Sequence, residues 1–241
     1  MSAAILAAQN AAAHKRAALA NLAGVMEAAD ARASELWNAG LAHKRGAVLR
    51  TQEREIVSGH PLDLFPTPPD LAARMVSECS EHFFDGSLWL EPSAGTGRIA
   101  QAMKDAGHDP SCIELNYNAV QLLKKRGFHV MHADFLEMDP HEGTTEPGRV
   151  TLPLRADVII MNPPFSKGQD IDHVLHAWKC LDVGGRIVAI MSEGVFYRGD
   201  KKAGAFRDFL DRVGGYSEKL PPGTFKSSGT GVSARIVVLD K

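Results

Sequence analysis

The stretch "SLWLEPSAGTGRIA" (Ser87–Ala100) decides how the chain is read. Ser87 to Glu91 reads as a strand that ends on an acid. Gly95 and Gly97 then allow a tight turn and a close approach of backbone to a ligand. From Arg98 to about Ala106 the pattern becomes helical. A strand, a Gly-rich turn and a helix in that order begin a parallel α/β unit.

The alternation continues downstream. "SCIEL" (Ser111–Leu115) is a strand, Tyr117–Arg126 a helix, and "FHVMHAD" (Phe128–Asp134) a strand. "DVIIM" (Asp157–Met161) and "RIVAIMSE" (Arg186–Glu193) are strands separated by a helix over Asp172–Leu181. A helix over Lys201–Val213 precedes the last strand, "SARIVVLD" (Ser233–Asp240). β-branched runs between helices predict a mostly parallel sheet covered on both faces. The polar segment Glu137–Arg155, punctuated by proline and glycine, reads as an inserted surface loop.

Open α/β sheets bind ligands at the carboxyl ends of their strands. Three successive strands here end in carboxylates, Glu91, Glu114 and Asp134. Each alone reads equally well as a surface residue, but together they suit an adenosyl-type pocket. Glu91 would repel a pyrophosphate, so the turn suits a ligand that carries positive charge. Glu114, roughly twenty residues past the turn, is placed for a ribose diol. Asp134 can accept from an exocyclic amine while Phe135 packs on a base.

The fourth strand ends in Asn162-Pro163-Pro164-Phe165. The prolines cannot donate backbone hydrogen bonds and restrict the residues before them, so the exit from the strand is stiff. The Asn162 side-chain carbonyl and the Pro163 backbone carbonyl can both accept from one planar amine. Two acceptors draw the nitrogen toward tetrahedral geometry and localise its lone pair for attack on an activated methyl group. Phe165 can stack on the ring that bears the amine. No strong general base is needed, because the methylated nitrogen loses its proton readily.

The chain has 241 residues, 44% hydrophobic and 23% charged, which suits one core with an appendage. Its net charge of -2 means that a nucleic-acid partner would be met by a local basic face. Cys79, Cys112 and Cys180 are widely spaced and read as reduced, buried thiols of a cytoplasmic protein. The ten histidines lack ligand spacing, so no metal is expected. No apolar run suits a membrane span, and the N-terminus lacks signal-peptide order.

Residues 1–57 are Ala-rich and proline-free, with apolar residues at helical spacing, and read as a helical N-terminal arm. Its basic stretch "HKRGAVLRTQER" (His43–Arg54) admits a solvated helix face, a DNA contact or a homodimer contact. The proline-punctuated "SGHPLDLFPTPPDL" (Ser58–Leu71) links it to the domain over 58–241, and Asp70 or a neighbour caps the next helix. "YRGDKKAGAFR" (Tyr197–Arg207) reads as a phosphate-contacting loop or a basic helix start, with Arg198, Lys201 and Lys202 as the contacts.

"LFPTPPDLAARMV", "LEPSAGTGRIA", "CIELN", "ADFLE", "MNPPF" and "FKSSGTGVSARIVVLD" occur in an ordered set over Leu62–Lys241. That set resembles the gamma-type N6-adenine DNA methyltransferases, in particular small stand-alone forms found on phages and mobile elements. The resemblance implies a Rossmann-like class I methyltransferase fold with a mostly parallel seven-stranded sheet. It implies S-adenosyl-L-methionine as cofactor, DNA as partner, and a bacterial or phage-infected cytoplasm. By resemblance Phe65, Thr67 and Pro68 close over the methionine moiety, and Glu91, Ser93, Ala94, Gly95 and Gly97 line its amino-acid end. Glu114 and Leu115 would take the ribose, Asp134 and Phe135 the cofactor adenine, and Asn162, Pro163, Pro164 and Phe165 the target adenine, with Asn162 also touching the cofactor. Phe225 would face the target base from the other side, or be a core-edge hydrophobe.

Larger family members carry a target-recognition domain after the core, whereas this sequence ends with the last strand. A paired adenine would have to leave the stack to reach Asn162. Two rivals stay open: an RNA adenine or protein glutamine methyltransferase, and a non-catalytic nucleic-acid-binding protein with the same fold.

Overall fold

Val158, Ile159, Ile160 and Met161 are all fully buried, yet they serve two different cores. Ile159 and Met161 join one apolar cluster, and Val158 and Ile160 join another. Side chains on a strand alternate between faces, so this segment must be a central strand covered on both sides. The computed structural model describes residues 31–32, 35, 38–59, 65–80, 83, 86–140 and 154–241.

Seven strands form one sheet: β1 (Trp89–Glu91), β2 (Ser111–Glu114), β3 (His129–His132), β4 (Ala156–Met161), β5 (Leu181–Ser192), β6 (Tyr216–Lys219) and β7 (Ala234–Asp240). Their order is β3-β2-β1-β4-β5-β7-β6. The first five pair in parallel, and β7 runs antiparallel to both neighbours. The order reverses between β1 and β4, and a ligand crevice belongs at that switch point.

Residues 38–59 are helical and are called α1. The remaining helices are α2 (Pro69–Ser80), α3 (Arg98–Asp105), α4 (Tyr117–Arg126), α5 (Gln169–Cys180) and α6 (Lys201–Arg212). α2 and α3 cover one face of the sheet through Met75, Ile99 and Met103, and α5 and α6 cover the other through Val174, Ala177 and Phe206. α4 packs beside α3 through Ala100 and Leu123.

The helix boundaries follow local chemistry. The Asn116 side chain accepts from Ala119 N and starts α4, and Gly127, at φ 82, stops it. Asp200 accepts from Ala203 N and starts α6. Pro69 takes the first position of α2, so Asp70 lies in its first turn and not at its cap. α5 begins at Gln169, earlier than the expected Asp172, because Gly168 at φ 71 acts as its N-cap. β5 begins at Leu181, five residues before the expected Arg186, and β6 is a strand that the hydrophobic pattern does not announce.

The chain divides into two compact units, Met1–Thr51 and Gln52–Lys241. The break lies ahead of the expected one at Val57, because Glu53 and Ile56 are buried in the second unit. In the first unit, residues 38–51 are helical and mostly exposed. The expected helices before residue 31 and most of the expected loop, residues 141–153, lie outside the described residues. Among the described residues, no helix is long and apolar enough to cross a membrane. Cys79, Cys112 and Cys180 are free and buried.

Candidate active site

A cavity of about 550 Å³ opens at the carboxyl ends of β1 to β4. The turn after β1 contributes Glu91, Ser93, Ala94 and Gly95, and the end of β2 contributes Glu114 and Leu115. Asp134 and Phe135 follow β3, Asn162 and Pro164 follow β4, and Phe65 and Thr67 precede α2. Its volume falls in the range of about 300–1,000 Å³ that small-molecule sites occupy.

The turn is held by the acids it surrounds. Glu114 accepts from Gly95 N at 2.6 Å through one oxygen and from Asn116 N at 2.6 Å through the other. Glu91 accepts from Ala100 N at 2.7 Å and so anchors the first turn of α3. Burial pushes the Glu91 carboxyl well above the usual carboxylate range; the Ala100 bond opposes this and the nearby Glu114 charge adds to it. Burial also raises Glu114, against its backbone donors. The Asp134 side chain accepts from Leu136 N and caps a short 3-10 turn over Phe135–Glu137.

A second cavity, of about 260 Å³, is lined by Phe65, Asn162, Pro163, Phe165, Ser166, Phe225, Thr230 and Val232. Phe65 and Asn162 line both cavities. Asn162 Nδ2 donates to Phe65 O at 3.1 Å and to Thr67 Oγ1 at 3.2 Å. That orientation leaves its Oδ1 as an acceptor with no donor among the described residues. Phe225 is only 1% exposed and belongs to an apolar core cluster, with Phe165 packed against that cluster. It is therefore both a core residue and a wall of the smaller cavity.

Two expected cofactor contacts are not among the residues that line either cavity. Pro68 lines neither cavity and leads into α2. Gly97 also lines neither; its φ is 81, and a Cβ there would stand 2.6 Å from Leu123 Cδ2. Its role is to let α3 start against α4. Arg198 pairs with Asp200 at 3.0 Å and Lys202 with Asp172 at 2.7 Å. Lys201 is exposed at the start of α6. A Cβ on Gly168 would meet Lys202 Nζ at 3.5 Å and Arg198 Nη2 at 3.7 Å, so these two cations lie against the loop that follows Phe165. Lys167 in that loop adopts a left-handed φ of 56.

Several cavity residues are not expected as contacts from the sequence: Thr96, Arg98 and Asn116 lie inside the quoted motifs, and Tyr117, Gln169 and His173 lie outside them. Asn116, Tyr117 and Arg98 begin helices that follow strands, and helix starts at strand ends are the signal that could find them. His173 lies on α5, and burial lowers its pKa. Its Nδ1 faces Gln169 O at 2.9 Å, which fixes the proton on that nitrogen when the ring is neutral. Asp170, fully buried, accepts from Ser192 N and Oγ and ties α5 to the end of β5.

Glu53 falls within the helical arm expected from the sequence. Its carboxylate instead accepts from Arg98 Nε at 2.7 Å, Arg126 Nη2 at 2.7 Å and Thr96 Oγ1 at 3.0 Å.

The sequence matches no known family model and no curated protein. Among solved structures, it is similar to a modification subunit of a putative type I restriction enzyme from Vibrio vulnificus, with a TM-score of 0.58 and 19% identity. That match covers 79% of this chain and 47% of the subunit, so the chain spans about half of its relative. A putative class I S-adenosylmethionine-dependent methyltransferase from Listeria monocytogenes matches with a TM-score of 0.52 and 15% identity, over 73% of this chain and 60% of that one. A putative RNA methyltransferase from Pyrococcus horikoshii matches with a TM-score of 0.50 and 20% identity, over 73% and 87%. With its β3-β2-β1-β4-β5-β7-β6 sheet and antiparallel β7, the chain has the fold of the class I S-adenosylmethionine-dependent methyltransferases.

Proposed function

We propose that the chain transfers a methyl group from S-adenosylmethionine to the N6 amine of adenine in DNA. The observation that carries this reading is Asn162, which lines both cavities and whose Oδ1 meets no donor among the described residues. One cavity suits the cofactor and the other a flat heterocycle, with the amide acceptor between them.

The residues fit the cofactor. Glu91 is a buried carboxyl with a raised pKa, which a cationic ligand would relieve. Glu114 suits a diol, and Asp134 beside Phe135 suits an aminated base. S-adenosylmethionine would supply a methyl group on a sulfonium, and its sulfur would keep the bonding pair as a neutral thioether.

The chain's own part is positioning and electrostatics. Phe165 and Phe225 would hold a flipped adenine, because an N6 amine inside a duplex cannot reach Asn162. Asn162 Oδ1 and the Pro163 carbonyl would accept its two N–H groups and aim the lone pair at the methyl carbon. As the N–C bond forms, positive charge grows on the nitrogen, and both acceptors stabilise it. The proton then leaves from nitrogen to solvent. Arg198, Lys201 and Lys202 would hold flanking phosphates. DNA is favoured over RNA by the turn "EPSAGTG" and the ending "SSGTGVSARIVVLD", and the arm or a second copy would supply further grip.

The test is methylation of an unmodified genome, matched RNA and a release-factor glutamine peptide, with modified adenines mapped by single-molecule sequencing. N6-methyladenine in DNA is the expected product, and methylated RNA or protein beside unmodified DNA would overturn the reading. In the same assay Asn162→Ala should lose at least about a hundredfold in turnover, the scale of one transition-state acceptor, and far less in cofactor affinity.

A further inference from the structure

The Arg98 guanidinium is tied at one nitrogen and open at the others. Nε donates to Glu53 Oε1, while the terminal nitrogens make no hydrogen bond among the described residues. Arg98 lines the larger cavity beside Glu91, Ser93 and Gly95, where the turn after β1 meets the start of α3. We infer that Arg98 binds the carboxylate of the cofactor's amino-acid group, and that Glu53 is the residue that positions it. This rests on the S-adenosylmethionine reading.

The charges at this end of the cavity form a matched set. An α-amino acid presents an ammonium and a carboxylate a few ångströms apart. Glu91 offers the ammonium a buried acid. The same ligand then needs a cation nearby, and Arg98 is the cationic side chain lining this cavity. Engaging Nε leaves the terminal N–H groups as a fork suited to a planar carboxylate.

Glu53 gives that fork its direction. Its carboxylate is 5% exposed and also takes Arg126 and Thr96, so it is fixed from three sides. Burial works against its charge, but the hydrogen bonds from Arg126 and Arg98 prevail and hold its pKa below the ordinary value. It therefore stays ionised at neutral pH. It also separates two guanidiniums that would otherwise repel each other. Thr96, another lining residue, is bound by the same carboxylate, so the outer half of the turn depends on it.

The experiment compares two ligands in calorimetry: S-adenosylhomocysteine and its decarboxylated analogue. The full-length protein should bind the first at least about tenfold more tightly, as one charged hydrogen-bonded contact implies. Arg98→Ala should remove that preference by weakening the first ligand only, and Arg98→Lys should restore part of it. Glu53→Gln should shrink the preference by weakening S-adenosylhomocysteine more than the analogue. Equal affinities in the unsubstituted protein, or equal weakening of both ligands by Arg98→Ala and Arg98→Lys, would overturn the inference. Failure of both ligands to bind the unsubstituted protein would instead remove the cofactor reading on which it rests.

Discussion

Burial makes the Glu91 carboxyl harder to ionise, and a cation beside it would reverse that. Its raised pKa makes the folded protein bind a proton that the unfolded chain releases. The sign follows: this contribution to stability is fully present below the ordinary value of 4.5 and is lost as pH rises through the raised one. Glu91→Gln keeps an acceptor for Ala100 N and removes the titration. The ligand-free variant should therefore melt higher than the parent at pH 8 and lose that advantage at pH 4. The gain is about 2–4 °C for each kcal/mol recovered in a chain of this size. Calorimetry should show the opposite sign for cofactor, with affinity at least about tenfold weaker because the ammonium loses its counter-charge.

At the scale of elements, the join between α3 and α4 is the most sensitive point near the cavity. Gly97 combines a left-handed φ with a Cβ position 2.6 Å from Leu123 Cδ2, and Leu123 is fully buried, so an added methyl must displace a core side chain. Gly97→Ala should cost about 2–5 kcal/mol, the sum of left-handed strain and overpacking, read by urea denaturation. An unchanged midpoint would contradict the packing role. From sequence Gly97 reads as a ligand contact, because a glycine needed for backbone approach and one needed for helix packing look alike without neighbours. Other elements are legible for clear reasons. α4 carries an Asn cap and a terminal glycine, and its bounds agree at both ends. The acidic strand ends and the Asn-Pro-Pro-Phe corner do gather around two adjoining cavities. β6, Tyr-Ser-Glu-Lys, has no apolar alternation because it is an edge strand with largely exposed residues. Arg98 and Glu53 stay hidden in the sequence because their meaning is a contact between positions 45 residues apart.

For the whole molecule, a net charge of -2 leaves no general attraction to DNA, so the proposed binding would come from a local group of cations. Arg198 and Lys202 meet over the loop after Phe165, but Asp200 and Asp172 already share their charge. Phosphates would have to displace those acids, which makes the interaction salt-sensitive and modest. Replacing Arg198, Lys201 and Lys202 together by alanine should weaken duplex binding about equally for all sequences. The slope of log affinity against log salt should fall by about 0.9 for each phosphate that the variant no longer neutralises. Fluorescence anisotropy over a salt series measures both, and an unchanged slope would move the DNA-binding face elsewhere.

The three thiols are spread across the same architecture. Cys79, Cys180 and Cys112 each belong to a different apolar cluster, one on each face of the sheet and one between α3 and α4. Burial pushes Cys79 and Cys180 up to about 12 and raises Cys112 as well, so none is a nucleophile in the native state. A thiol reagent can label each one only when its own cluster opens. The protein thus carries three native clocks for local unfolding, and comparing their labelling rates tells whether its cores come apart together or in turn.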